Sequence, residues 1–324
     1  MSRKLGIGLV VFLIFFAALV LIARYLLSTV GAVEGFPGRG DRVALIYVEG
    51  SIVGDMQGGS SLLSGLLASS VETVRRLEAA RKAPSIKAVV LRVNSPGGSA
   101  AASQEIYAEI EKVKQDKPVV VSMGDLAASG GYYISSAATK IYANPATLTG
   151  SIGVIFSGLE FSGLMEKWGI ASQTVTAGEY KDIASMYRKM TPGEREMLQK
   201  LVDQVHAQFI AAVVQGRGMD EAEVRKLATG MIMTGEQAKA AGLVDELGGL
   251  HEAEAEARRL AKLPEDAPVV SYQKRRSVFD MLDMFGRGSS ATSASRSLLD
   301  GASSLTRFVN GLLRRDVGAG LISN

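Results

Sequence analysis

The sequence predicts an α/β domain with a parallel sheet, preceded by one N-terminal transmembrane helix. Three observations carry this. Strand-length apolar runs alternate with amphipathic helix-length runs from residue 43 to residue 138. The strand runs Val89-Val90-Leu91 and Val119-Val120-Val121 are apolar on consecutive positions, as expected of strands covered on both faces. Leu5 to Ala23 forms a run of 19 residues without charge.

The apolar run comes first. At about 1.5 Å per residue, a helix of this length spans a hydrocarbon core of ~30 Å. Arg3 and Lys4 precede it, so the positive-inside bias puts the N-terminus in the cytoplasm and everything after Arg24 outside. A cleaved signal peptide is the competing reading. Its apolar stretch would be about 7–15 residues long, ending at a small-residue cleavage site. The run ends instead at Arg24-Tyr25-Leu26-Leu27, and an uncleaved anchor is the preferred reading. Residues 1–27 are then a cytoplasmic start and anchor, with membrane lipid as partner through residues 5–23. Residues 28–41 are a linker, 42–270 the folded domain, and 271–324 a basic flexible tail.

Within the domain, Val43–Val48, Ala88–Val93 and Pro118–Met123 read as strands. Val71–Lys82, Ala101–Val113 and Tyr132–Ala138 read as the helices between and after them. This β-α-β-α-β order implies parallel strands joined by crossover helices. Thr191-Pro192-Gly193-Glu194 is a helix start with a capping box and a proline at the first position. The helix continues through Leu198, Leu201, Val202, Val205 and Phe209, and Gly216 and Gly218 should end it. Shorter helices are expected at 220–228, 235–241 and 249–261. Residues 286–304 are rich in Ser, Gly and Ala, flanked by the apolar–basic pieces 278–285 and 305–315, which suit a membrane surface or a disordered tail equally.

Charge and composition exclude several functions. The net charge is +3. Arg3, Lys4 and Arg24 contribute +3 and residues 272–324 contribute +4, leaving −4 on the body. Basic ends on an acidic body fit a membrane surface and not a nucleic-acid binder. There is no cysteine, so disulfides and thiolate chemistry are excluded. The two histidines, His206 and His251, lie in no metal-ligand pattern, and both suit ordinary structural roles better than a triad. No nucleotide-binding glycine pattern follows a strand. No metal or cofactor is expected.

Small residues cluster in two places, Asn94-Ser95-Pro96-Gly97-Gly98 and Ala127-Ala128-Ser129-Gly130-Gly131. Each follows a strand, where sites form in open α/β sheets. A serine between a strand and a helix has an exposed oxygen and neighbouring amides able to hold an oxyanion. Ordinary βα turns favour the same residues, and a lone Gly–Ser loop decides nothing. Such a serine needs a base, and without a suitable histidine a lysine is the common alternative. Lysine acts as a base only when neutral, against a reference pKa of about 10.4, so it needs an apolar surround. Local sequence cannot choose among the lysines.

Taken together, these motifs resemble the S49 serine protease family, in its short bacterial signal peptide peptidase form with a Clp/crotonase-like βαβ superhelix. The resemblance covers roughly residues 40–265. It rests on Asn94–Gly98, Met123–Tyr133, Leu148-Thr149-Gly150-Ser151-Ile152-Gly153-Val154, Gly178-Glu179-Tyr180-Lys181-Asp182 and Gly242-Leu243-Val244-Asp245. It implies that Ser129 is the nucleophile and Lys181, 52 residues later, the general base. It implies that the Gly97 and Gly130 amides line the oxyanion hole and that Ser151 orients the lysine. Asp182 is an awkward neighbour, because a carboxylate facing Lys181 would raise its pKa; its side chain should face elsewhere. The resemblance further implies a homo-oligomeric ring with sites shared between subunits, acting on released signal peptides and other small unfolded peptides outside the cytoplasm. Three alternatives stay open: an acyl-CoA enzyme of the same fold, a related membrane protease with other substrates, and a non-catalytic ring scaffold. An exported domain disfavours the first, and an intact Ser129 and Lys181 disfavour the last.

Overall fold

The structure is a computed structural model that describes residues 40–55 and 67–272. The expected anchor at 5–23, residues 28–39 of the linker and the tail pieces 278–285, 286–304 and 305–315 lie outside the described residues. Among the described residues, no helix is long and apolar enough to cross a membrane.

In chain order the first elements are β1 (Arg42–Glu49), β2 (Ser51–Val53), β3 (Leu67–Ser69), α1 (Ser70–Lys82), β4 (Ile86–Ser95), α2 (Ala100–Asp116), β5 (Val119–Ala128) and α3 (Gly130–Ser136). They continue as β6 (Lys140–Ala143), β7 (Leu148–Gly150), α4 (Ser162–Lys167), α5 (Pro192–Arg217), α6 (Glu221–Leu227), β8 (Ile232–Thr234), α7 (Gly235–Ala240), β9 (Glu246–Leu247), α8 (Leu250–Leu260) and β10 (Val269–Ser271). The main sheet runs β10-β1-β4-β5-β6-β9, with parallel neighbours throughout. β7 pairs with the far half of β5, and β8 closes on β7 as the antiparallel member. β2 and β3 form a separate parallel pair.

Both faces of the sheet are covered, as the consecutive apolar runs require. Ala44, Ile46, Val48, Val89, Leu91, Val93, Val121 and Met123 point to one side, into a core shared with Leu77 of α1, Ile106 and Ile110 of α2, Ile134 of α3 and Phe209 and Val213 of α5. The alternate positions Val43, Leu45, Ala88, Val90 and Val120 face Ala253 and Ala257 of α8. The helix starts are fixed locally. Ser69 and Ser99 accept the Glu72 and Ala102 N–H groups to cap α1 and α2. Thr191 and Glu194 form the expected capping box of α5.

Most helix and strand ends fall within one to three residues of expectation, and the shifts at β5 and α5 have identifiable causes. β5 does not stop at Met123 but reaches Ala128. It changes partner on the way: Val120–Ser122 pair with β6, while Leu126–Ala128 pair with β7. The Asn94 side chain accepts the Leu126 N–H across the irregular register with β4. Gly124-Asp125 therefore marks a bend, which in sequence reads like an end. α5 likewise runs through Gly216 to Arg217. A Cβ on Gly216 would fall 2.1 Å from the Ser136 carbonyl oxygen, so this glycine permits close approach to the end of α3. The actual stop is Gly218, left-handed at φ +64°.

Candidate active site

The two small-residue turns emerge side by side from β4 and β5. β4 ends at Ser95, and the chain turns through Pro96, Gly97 and Gly98 into α2. Gly97 is at φ +98°, and a Cβ there would fall 2.5 Å from the Gly130 nitrogen and 2.9 Å from Ser129 Cβ. A Cβ on Gly98 would fall 2.0 Å from the Ile52 carbonyl oxygen. Gly98 bridges to β2 in parallel: the Ile52 N–H donates to Gly97 O, and the Ser99 N–H donates to Ile52 O. A Cβ on Gly130 would fall 2.5 Å from Ser103 Oγ. Glycine is thus required at these positions so that backbone can pack against backbone.

Ser129 sits half-buried at this junction, between β5 and α3. Its backbone is at φ +52°, ψ −121°, a conformation that is strained for a residue with a side chain. Its N–H donates to Gly150 O at 2.9 Å, and its carbonyl accepts the Tyr133 N–H at 2.8 Å. β7 and α3 therefore hold the strained residue from both sides. Among the described residues its Oγ makes no hydrogen bond. A sharp, strained strand-to-helix turn exposing a hydroxyl beside helix N-terminal amides is what an attacking serine requires.

Ser151 lies just past Gly150, the residue that accepts the Ser129 N–H, and is itself at φ +52°. Its N–H donates to Met231 O. The fold thus brings Ser129, Gly97, Gly130 and Ser151 together. The Gly97 N–H is not open, because it donates to Ser95 Oγ at 3.1 Å.

Lys181 is placed differently. It lies on a long excursion between β7 and α5, in consecutive tight turns where Lys181 N–H donates to Gly178 O, Ile183 N–H to Tyr180 O and Ser185 N–H to Asp182 O. Its side chain is exposed, and among the described residues it bonds neither Ser129 nor Ser151. The excursion carries little core. α4 has no buried residue, and Ile155, Phe156, Leu159, Trp168, Ile170 and Val175 are exposed, Val175 at 98%. Single exposed apolar residues are ordinary, but a contiguous stretch is not.

Sequence reading missed the node that anchors the excursion. Arg188 grips the Asp182 carboxylate with Nε at 2.8 Å and Nη2 at 2.8 Å, and also bonds both Glu194 carboxylate oxygens. Asp182 therefore faces Arg188. Arg188 holds both carboxyls below their usual range, Glu194 at about 2. The only sequence signal was the capping-box Glu194. His206 has its Nε2 buried without a hydrogen-bond partner among the described residues, and His251 is exposed at the start of α8. Among the described residues, no cluster of metal-ligating side chains exists.

The chain holds an α/β, Clp-protease-like domain with a mostly parallel sheet, and the Clp protease family profile matches residues 67–149. More narrowly, the chain belongs to peptidase family S49, whose profile matches residues 111–264. A provisionally named protease of Methanocaldococcus jannaschii is 35% identical over 251 residues, covering 77% of this chain and 80% of that protein. A provisionally named signal peptide peptidase SppA of Enterococcus faecium is 40% identical, covering 67% of this chain and 63% of that one. Protease 4 of Salmonella typhi is 39% identical over 75% of this chain, which spans only 38% of its length.

Proposed function

We propose that the protein is a membrane-anchored serine endopeptidase with a Ser129–Lys181 dyad. It acts outside the cytoplasm on released signal peptides and other small unfolded peptides. The observation that carries this is the strained Ser129 backbone at the end of β5, clamped by Gly150 O and Tyr133 N–H, with the Gly97 turn packed against it. Such strain persists only where surrounding structure enforces it, and it clusters at functional sites.

Neutral Lys181 takes the Ser129 proton, and Ser129 Oγ attacks the peptide carbonyl. Backbone amides hold the oxyanion, with Gly130 at the start of α3 and Gly97 after it releases Ser95 Oγ. Lys181 then protonates the leaving amine, and water hydrolyses the ester. Ser151, beside the Gly150 carbonyl, is the hydroxyl that orients Lys181. A base lysine needs an apolar surround, which the described residues of its own subunit do not give. The exposed apolar side chains of the excursion supply the reason: they pack on a second copy of the chain, where Lys181 of one subunit meets Ser129 of its neighbour. A ring assembled in this way shares its sites between subunits and admits unfolded peptides.

The test uses the full chain in detergent and a fluorophosphonate probe. Wild type should label, and Ser129→Ala and Lys181→Ala should not. Mixing the two inactive variants should restore part of the labelling and peptidase activity, because some interfaces then pair an intact Ser129 with an intact Lys181. Labelling that survives Lys181→Ala would overturn the dyad. No recovery on mixing subunits shown to exchange would overturn the shared site.

A further inference from the structure

The Arg188 node does more than tie down the excursion. Asp182 is the residue next to Lys181, and an unpaired carboxylate there would favour the protonated ammonium, which cannot act as a base. Arg188 occupies that carboxylate through two hydrogen bonds. It also donates to Glu194, a carboxylate only 3% exposed in the first turn of α5. The charged groups that act on Arg188 are Asp182 and Glu194, on either side of it; Glu179, Glu194 and Glu196 act on Tyr180 nearby, and the Lys189 carbonyl accepts from the guanidinium. The node's net charge depends on Arg188: without that cation, two carboxylates remain close to the lysine's turn.

We propose that Arg188 is a positioning residue for the reaction: it binds and neutralises the Asp182 carboxylate next to Lys181 in the chain, so that this carboxylate does not hold the lysine in its protonated form. This rests on Lys181 being the base. Rigid anchoring alone would explain a bidentate arginine. The present proposal adds a specific electrostatic consequence.

The experiment measures the fluorophosphonate labelling rate of the full-length protein against pH. For a lysine base, the rate rises with pH as the amine loses its proton. Arg188→Gln should move this rise to higher pH, by more than the scatter of repeated profiles. Adding Asp182→Asn to Arg188→Gln should bring it back toward the wild-type position. A lower rate with an unmoved profile, or a shifted profile that Asp182→Asn does not restore, would overturn the proposal and leave Arg188 an anchor. If Arg188→Gln fails to fold, Asp182→Asn alone decides: its profile must rise at or below the wild-type pH, and a rise at higher pH sinks the idea. The parent reading fails separately, through Lys181→Ala that still labels.

Discussion

The corner that carries Ser129 and the excursion that carries Lys181 are built on opposite principles. At the corner, backbone packs on backbone through Gly97, Gly98 and Gly130, every neighbouring strand is paired, and strain is held by hydrogen bonds on both sides of the serine. The excursion has a short helix with nothing buried, tight turns, and one ionic node at its return. The corner is held by contacts within one chain, whereas the excursion has polar anchors and, among the described residues, an uncovered apolar surface. Ser129 is therefore held by the fold itself, while the surroundings of Lys181 wait on whatever covers the excursion.

Substitutions can break this contrast, beginning with the largest effect. Lys181→Ala should lower peptidase turnover by about 10³-fold, the middle of the range for a lost general base, while the denaturation midpoint stays near wild type. A large stability loss instead would make Lys181 part of the fold. Gly98→Ala should cost about 3 kcal/mol, because its Cβ would meet the Ile52 carbonyl at 2.0 Å at φ +153°; urea denaturation measures it. Asn94→Ala leaves the Leu126 N–H at the β5 bend without its acceptor. It should cost about 1–2 kcal/mol and slow fluorophosphonate labelling as Ser129 loses support. Trp168→Ser, in the excursion, should change fold stability by no more than about 0.5 kcal/mol yet weaken self-association in sedimentation. Equal loss in both measurements would show that the excursion is part of the core.

Acid sharpens the same contrast. Glu194 is depressed to about 2 by Arg188. A depressed carboxylate stabilises the fold above its unfolded pKa, and that contribution fades as pH falls through the folded value. The anchor should therefore hold through the ordinary carboxylate range and loosen only as pH approaches about 2. Trp168, the single tryptophan, reports on it: its fluorescence anisotropy should stay level from pH 5 to about 3 and then fall. A fall complete by pH 4 would mean that the node does not hold the excursion.

The parallel core was legible because consecutive valines and alternating helix faces have clear periods, and the capping box at Thr191 has a local chemical cause. Ser129 was legible only as one of two glycine-rich turns until several motifs were taken together. The short strands β2, β3 and β7 to β10 have too few residues to show a period, and they exist because longer strands offer them edges. The bend at Gly124 and the continuation of α5 through Gly216 were hidden for a related reason. In both places a glycine signals a break locally, while its actual partner, Asn94 or Ser136, is distant in sequence. Arg188 escaped notice because nothing in a sequence marks which of many arginines will bridge two carboxylates.

α5 itself has a further consequence. Its first turn puts Glu194 in the node beside Lys181's turn, and its last turn puts Gly216 against α3, the helix that Ser129 starts. Its 26 residues make a rod about 39 Å long. One inserted residue would lengthen that rod by about 1.5 Å and turn one end against the other by about 100°, so one of its two attachments would have to let go. The excursion can vary in length because it is loop apart from α4, but α5 is a ruler, and its count of turns is as much a part of the design as the residues at either end.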